Sequence, residues 1–109
     1  MAPKLFTIKK RSTFVTIRDQ GKFVKGKNIN IQILHNQNLE KSIGVGYTAS
    51  KKIGNAVKRN KAKRIMRELA RKIIINGKIN SYYVLIAKSS LLDEKFSNLL
   101  IELEEKIND

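Results

Sequence analysis

Few side chains in this sequence could carry out acid–base chemistry, and they are not grouped for it. The one histidine is His35, which has Asn36 beside it, and the chain contains no cysteine. Nucleophilic or acid–base catalysis needs a nucleophile, a base and an orienting group in partnership, and no such serine pattern accompanies His35. We interpret His35 as a surface residue.

Carboxylates are also poorly placed for a metal centre. Six of the nine Asp and Glu residues lie from Asp93 onward. A two-metal nuclease needs several carboxylates that converge on its ions, whereas Glu102 and Glu105 on the predicted last helix are interpreted as solvated charges. The segment 44–46 fits neither glycine fingerprint for phosphate binding. The residues therefore indicate binding, with no catalytic residue and no metal ligand in the protein.

Positive charge is the chemical feature that this sequence has in excess. Lys and Arg number 23 against 9 Asp and Glu, for a formal net charge of +14. Ten of these cations lie between Lys51 and Lys72, with Glu68 as the one acid among them. Such a field attracts polyanions, so nucleic acid is the expected partner, ahead of membrane surfaces or acidic proteins.

A long amphipathic helix is predicted to carry much of this charge, over residues 55–76. At 100° per residue its apolar stripe consists of Ala62, Ile65, Met66, Leu69 and Ile73. The opposite face gathers Arg59, Asn60, Lys63, Arg64, Arg67 and Arg71. Like charges three and four residues apart repel one another. A solvated face usually interleaves glutamates, so we favour phosphate binding over a merely solvated basic face.

The elements around this helix predict an α+β fold. A first helix is expected from Ser12, as N-cap, to Gly21 in a left-handed C-terminal position, with Phe14 and Ile17 on one face. Strands are predicted at 23–24, 28–35, 43–49 and 82–87, and a hairpin loop at 36–38. A last helix, capped by Ser90 or Asp93, turns inward Phe96, Leu99, Leu100 and Leu103.

This α-β-β-β-α-β-α order predicts a two-layer sandwich, in which the helices pack on a four-stranded, mainly antiparallel sheet. Residues 1–109 are expected to form a single RNA-binding domain, because a chain of this length can enclose one core. No apolar stretch is long enough to span a bilayer, and the lack of cysteine fits a reducing compartment. The cytoplasm is the expected location, without a membrane partner.

One segment carries a more specific signal. Ser50 to Glu68 reads SKKIGNAVKRNKAKRIMRE, and these nineteen residues closely resemble the signature of the bacterial ribonuclease P protein family. The resemblance implies a fold similar to the second domain of a small-subunit ribosomal protein, with a left-handed crossover between the third and fourth predicted strands. Crossover connections between parallel strands of a sheet are generally right-handed.

The resemblance also implies two RNA-facing surfaces. The catalytic RNA subunit would be contacted by Lys51, Lys52, Asn55, Arg59, Asn60, Lys61, Lys63, Arg64 and Arg67. A cleft that holds the single-stranded 5′ leader of precursor tRNA would be formed by Phe14, Ile17, Arg18 and Gln32. Hydrolysis of the phosphodiester would be carried out by Mg²⁺ bound to the RNA subunit, and no small-molecule substrate is implied.

The chain departs from the family pattern at three of these positions. Lys61 replaces an arginine, which keeps the charge but removes a planar fork suited to phosphate. Arg18 and Gln32 stand where aromatic residues occur in the family, so the cleft is expected to bind its leader through charge more than through rings. For Phe14, plain core packing is an equal alternative.

Three other functions remain as alternatives. A ribosomal protein or general RNA chaperone would share the charge but need not distinguish precursor from mature tRNA. A protein-only nuclease would cleave RNA without an RNA partner, and a DNA-compacting protein would prefer duplex DNA.

Overall fold

A mixed five-stranded sheet forms the centre of the computed structural model, which describes residues 3–108. Its helices and strands are β1 Leu5–Thr7, α1 Arg11–Gln20, β2 Lys22–Val24, β3 Ile29–Leu34, β4 Ile43–Thr48, α2 Ala56–Lys72, β5 Ser81–Ala87 and α3 Phe96–Ile107. Short 3-10 turns lie at Lys51–Ile53, Ile74–Asn76 and Ser89–Asp93. The strands are ordered β1-β4-β5-β3-β2 across the sheet.

The prediction of a four-stranded, mainly antiparallel sheet is wrong in the number of strands and in their relative directions. β1 adds a fifth strand and pairs in parallel with β4, opposite Ile43 to Val45. β4 also runs parallel to β5, whereas β3 pairs antiparallel with both β5 and β2. β1 has only three residues, which are too few to show an alternating pattern of polar and apolar side chains. β1 is therefore recognisable only through its partner strand.

The predicted hairpin at 36–38 is also wrong, because β5 lies between β3 and β4. The segment after β3 instead turns through residues of positive φ, among them Asn36 and Glu40. The side chain of Asn80 holds this loop by accepting hydrogen bonds from the backbone amides of Leu39 and Lys41. A polar loop shows where a strand ends but not which strand becomes its neighbour.

The helices cover both faces of the sheet, so the molecule has three layers and not the predicted two. On one face Ile17 of α1 packs with Ile8 and Val84. On the other face the core includes Leu85 of β5 together with Met66 and Leu69 of α2 and Leu99 and Leu103 of α3. Successive side chains of a strand point to opposite faces, which is why the continuous apolar run of β5 serves both cores.

The ends of α1 differ from the prediction. The helix begins at Arg11, so Ser12 lies inside its first turn and is not the N-cap. Gly21 does end the helix, but its φ of −84° is not left-handed. A Cβ at Gly21 would lie 2.5 Å from the carbonyl oxygen of Ile17 and 2.7 Å from that of Ile33. Glycine is required here because the helix end approaches β3 closely.

α2 confirms the predicted helix in its main part. Ala62, Met66 and Leu69 are fully buried, and Ile65 and Ile73 pack at the edge of the same core. The helix ends at Lys72, and the predicted last residues form the 3-10 turn at Ile74–Asn76. The parallel strands β4 and β5 are joined through α2. The handedness of this crossover and the likeness to a ribosomal domain stay predictions.

α3 begins at Phe96, later than Ser90 or Asp93 would cap it, and both of those residues lie in the preceding 3-10 turn. Leu99 and Leu103 are buried as predicted and Leu100 packs beside them, whereas Phe96 is 36% exposed. None of the helices within residues 3–108 has the length and apolar character that a bilayer crossing needs.

Candidate nucleic-acid interface

The basic helix surface consists of the nine residues that the sequence assigns to contact with an RNA subunit, and seven of them are exposed. These are Lys51, Lys52, Asn55, Asn60, Lys61, Arg64 and Arg67. Arg59 and Lys63 are half-buried, because they lie on the flank of α2 that turns toward the core. Most of the predicted cations are therefore accessible to a binding partner.

Two of these residues also organise the start of α2. The side-chain oxygen of Asn55 accepts a hydrogen bond from the backbone amide of Lys58 at 3.0 Å, which makes Asn55 the N-cap. Nη1 of Arg59 donates to the carbonyl oxygen of Gly54 at 3.1 Å. Gly54 has a φ of 138°, a conformation that favours glycine. The family-like segment therefore builds a fixed turn that presents Lys51 and the helix together.

Farther along α2, arginines flank a tyrosine next to β1. Arg67 and Arg71 line a small cleft of about 200 Å³ with Tyr47 and Thr7. Burial raises the pKa of the Tyr47 hydroxyl, and the two guanidinium groups partly oppose that rise. Arg71 also forms an ion pair with Glu68. Its charge is thus partly neutralised, although Arg71 is exposed like Arg64.

The α1 cleft lies between α1 and the face of the sheet that α1 covers, and has a volume of about 500 Å³. Its walls are Lys9, Arg11, Phe14, Val15, Arg18, Gln32, Thr48, Val84 and Ile86. Three of the four residues predicted for a leader cleft, Phe14, Arg18 and Gln32, therefore line one cavity. Phe14 lies against the backbone of Gly46, where an added Cβ would be 2.4 Å from its ring.

Ile17 is the predicted cleft residue that the structure contradicts. Its side chain is completely buried between α1 and the sheet, in contact with the cluster of Ile8 and Val84. The spacing of Phe14 and Ile17 correctly places both on the inner side of the helix, but it does not show their depth. Phe14 is half-buried, so it contributes both to the core and to the cleft wall.

Sequence reasoning missed the cationic rim of the cleft. Lys9 and Arg11 line it from the segment that leads into α1, and Thr48 lines it from the end of β4. The run Lys9-Lys10-Arg11 just before the first predicted helix was the available signal. With Arg18, the cleft therefore has three cations around a partly exposed phenyl ring.

His35 and Glu102 form hydrogen bonds within the protein. Nδ1 of His35 lies 2.6 Å from the hydroxyl of Ser81, which is fully buried. Partial burial lowers the pKa of His35, and the charges of Lys78 and Lys22 lower it further. Glu102, predicted as a solvated charge, instead accepts hydrogen bonds from Asn28 at the start of β3. Glu105 is exposed, as predicted.

Together, the fold and these surfaces define a small α+β protein with cations concentrated on α2 and around the α1 cleft, the kind of surface that binds phosphate backbones. The family model described as Ribonuclease P matches residues 2–109. The chain belongs to the ribonuclease P protein family, and this membership makes it the protein subunit of ribonuclease P, with a role in tRNA processing.

Relatives and solved structures agree with this membership. The ribonuclease P protein component of Symbiobacterium thermophilum is 33% identical over 94% of this chain and 88% of its own length. That of Mycoplasma capricolum is 35% identical over 92% of this chain and 94% of its own. The Staphylococcus aureus RNase P protein structure superposes with a TM-score of 0.80, at 27% identity, over 94% of this chain and 93% of that one.

Proposed function

We propose that this protein binds the catalytic RNA of ribonuclease P through the basic helix surface and holds the 5′ leader of precursor tRNA in the α1 cleft. By doing so it promotes Mg²⁺-dependent endonucleolytic removal of the leader, which gives the mature 5′ end of the tRNA. The proposal also places the protein in the cytoplasm, where its substrate would be met.

The observation that carries the proposal is the placement of the two surfaces. α1 and α2 pack on opposite faces of one sheet, so the α1 cleft and the basic helix surface can each contact RNA without competing for the same side chains. The surfaces approach each other at the end of β4, where Thr48 lines the cleft and Lys51 follows three residues later. One small protein can therefore bridge an RNA subunit and a substrate strand.

Its contribution in this proposal is electrostatic and positional. Cations that neutralise phosphates release counterions and raise affinity, and those that hold the leader fix its register at the cleavage site. Mg²⁺ bound to the RNA subunit supplies the chemistry of hydrolysis. Two of its acidic side chains are held by partners within the protein: Glu102 accepts a hydrogen bond from Asn28, and Glu68 pairs with Arg71. The protein alone is expected to cleave nothing.

Leader binding is proposed to depend more on charge than on stacking. Lys9, Arg11 and Arg18 line the α1 cleft, and Phe14 supplies its one aromatic wall. Gln32, on the floor, can donate and accept hydrogen bonds at base edges. Such a cleft suits single-stranded RNA of varied sequence, because its contacts are to phosphates and to the face of a base.

The test is cleavage of a precursor tRNA at low Mg²⁺ by the cognate catalytic RNA, with and without this protein, beside the protein alone. Correct 5′ maturation only when both are present supports the proposal. Cleavage by the protein alone would indicate a protein-only nuclease.

Binding measurements separate the remaining alternatives. A ribosomal protein or RNA chaperone would bind precursor and mature tRNA equally, and a DNA-compacting protein would prefer duplex DNA. The proposed subunit should raise the affinity of the holoenzyme for precursor tRNA above that for mature tRNA.

A further inference from the structure

Phe23 is an exposed aromatic residue on the edge strand β2. Its side chain is 55% exposed, although it lies between the exposed Lys22 and the buried Val24. Val24 pairs with Ile31 and belongs to the core under α2 and α3. Because neighbouring side chains of a strand alternate, Phe23 faces the opposite side of the sheet, which is the side of α1 and its cleft.

The strand register places this ring next to the floor of the cleft. Phe23 is directly opposite Gln32 in the β2–β3 pair, and Gln32 is opposite Val84 in the β3–β5 pair. Both Gln32 and Val84 line the α1 cleft. Cross-strand partners have Cβ atoms about 5 Å apart. The three side chains therefore form one row, in which the ring of Phe23 continues the floor to the edge of the sheet.

The surroundings of the ring are cationic. Arg18 lines the α1 cleft together with Gln32, the cross-strand partner of Phe23, and Lys25 is exposed two residues after Phe23. An exposed ring among cations is the arrangement that single-strand-binding proteins use, since rings stack bases while cations follow the phosphates. A protein or lipid surface would require a wider apolar patch than one ring.

We propose that Phe23 stacks on a base of the single-stranded leader and extends the α1 cleft by one nucleotide toward the edge of β2. This inference rests on the proposed leader binding and deepens it. It also supplies a ring on the sheet side of a cleft in which the family's aromatic positions hold Arg18 and Gln32.

The experiment compares Phe23→Ala with Ile101→Ala in the reconstituted holoenzyme. Ile101 is a matched control because it is 57% exposed and lies on α3. The readout is the ratio of affinities for precursor and mature tRNA. Phe23→Ala should lower this ratio roughly five- to tenfold, the lower end of what one base–aromatic stack contributes. Ile101→Ala should leave the ratio unchanged.

A second variant reports the contact directly. The chain contains no tryptophan, so Phe23→Trp creates a unique fluorophore at this position. We expect its emission to be quenched when the holoenzyme binds precursor tRNA, and not when it binds mature tRNA. A shortened leader that ends before the cleft should also fail to quench.

The outcomes separate this inference from the proposal beneath it. If the wild-type holoenzyme binds precursor and mature tRNA equally, leader binding itself fails. If the wild type discriminates but Phe23→Ala keeps the full ratio, or if the emission of the Phe23→Trp variant changes equally with mature tRNA, only the role of Phe23 is overturned. A concentration-dependent dimer that Phe23→Ala abolishes, with the ratio unchanged, would assign the ring to self-association instead.

Discussion

The carboxylate of Glu102 on α3 binds Asn28 at the start of β3 through both of its oxygens. Its Oε2 accepts the backbone amide of Asn28 at 2.8 Å, and its Oε1 accepts the side-chain Nδ2 of Asn28 at the same distance. Oε2 also accepts the backbone amide of Ile29 at 3.1 Å. Asn28 is only 2% exposed, so these donors have little access to water.

Loss of this carboxylate is expected to destabilise the fold. Glu102→Ala would leave the amide donors of Asn28 and Ile29 without their acceptor, and buried donors left unsatisfied cost about 1–3 kcal/mol each. We expect a loss of about 2–4 kcal/mol in the free energy of unfolding, measured by urea denaturation. Glu105→Ala, an exposed change on the same helix, should cost less than about 0.5 kcal/mol. Equal effects of the two would contradict a structural role for Glu102.

At Asn55, stability and RNA binding can be separated. Asn55→Ala removes the N-cap of α2 and should cost about 1 kcal/mol. Asn55→Asp keeps a capping oxygen, so the free energy of unfolding should stay near that of the wild type. The new negative charge lies within the basic helix surface, however, and should weaken binding to the catalytic RNA. Unchanged affinity of Asn55→Asp would remove the start of α2 from the RNA interface.

Arg64 is predicted to contact a phosphate of the catalytic RNA, because it is exposed at the middle of the basic helix surface. In Arg64→Ala, the slope of log affinity against log salt should become shallower by about 0.7–0.9, the contribution of one phosphate contact. Lys95→Ala is the control, since Lys95 is also exposed but precedes α3. If Arg64→Ala leaves the salt-dependence slope unchanged, the RNA binds elsewhere on the protein.

The elements that sequence predicts well are those whose pattern is local. α2 was recognisable because Ala62, Met66 and Leu69 repeat with helical spacing, and β3 because Ile29 to Ile33 alternate with polar residues. Strand order is not local. Nothing in the segment 36–38 indicates that β5 inserts between β3 and β4. Likewise, β1 can be recognised as a strand only from its pairing with β4.

The candidate site divides in the same way. Basic residues of α2 could be assigned to one surface from helical spacing alone, but the half-burial of Arg59 and its bond to Gly54 depend on the turn before the helix. From its spacing in the sequence, Glu102 is predicted to be a solvated charge. Only the fold brings Asn28, 74 residues earlier, beside it. Phe23 was predicted as part of a short strand, yet its place in the cleft face follows only from the register with Gln32.

Gly46 is predicted to set the position of the Phe14 ring. A Cβ at Gly46 would lie 2.4 Å from that ring, so Gly46→Ala must displace Phe14 into the α1 cleft. Overpacking of this kind costs about 1–3 kcal/mol, and the displaced ring should also reduce the preference of the holoenzyme for precursor over mature tRNA. Both effects can be measured on the same variant, by urea denaturation and by comparison of the two affinities.

A glycine on the same strand provides the control. A Cβ at Gly44 would lie 2.6 Å from the ring of Tyr82, which is not among the residues that line the α1 cleft. Gly44→Ala should therefore lower stability by a similar amount and keep the preference for precursor tRNA. Combining Gly46→Ala with Phe14→Leu should restore much of the stability, because the smaller side chain relieves the overlap. If that double variant also regains full leader preference, the Phe14 ring packs the core and does not contact the leader.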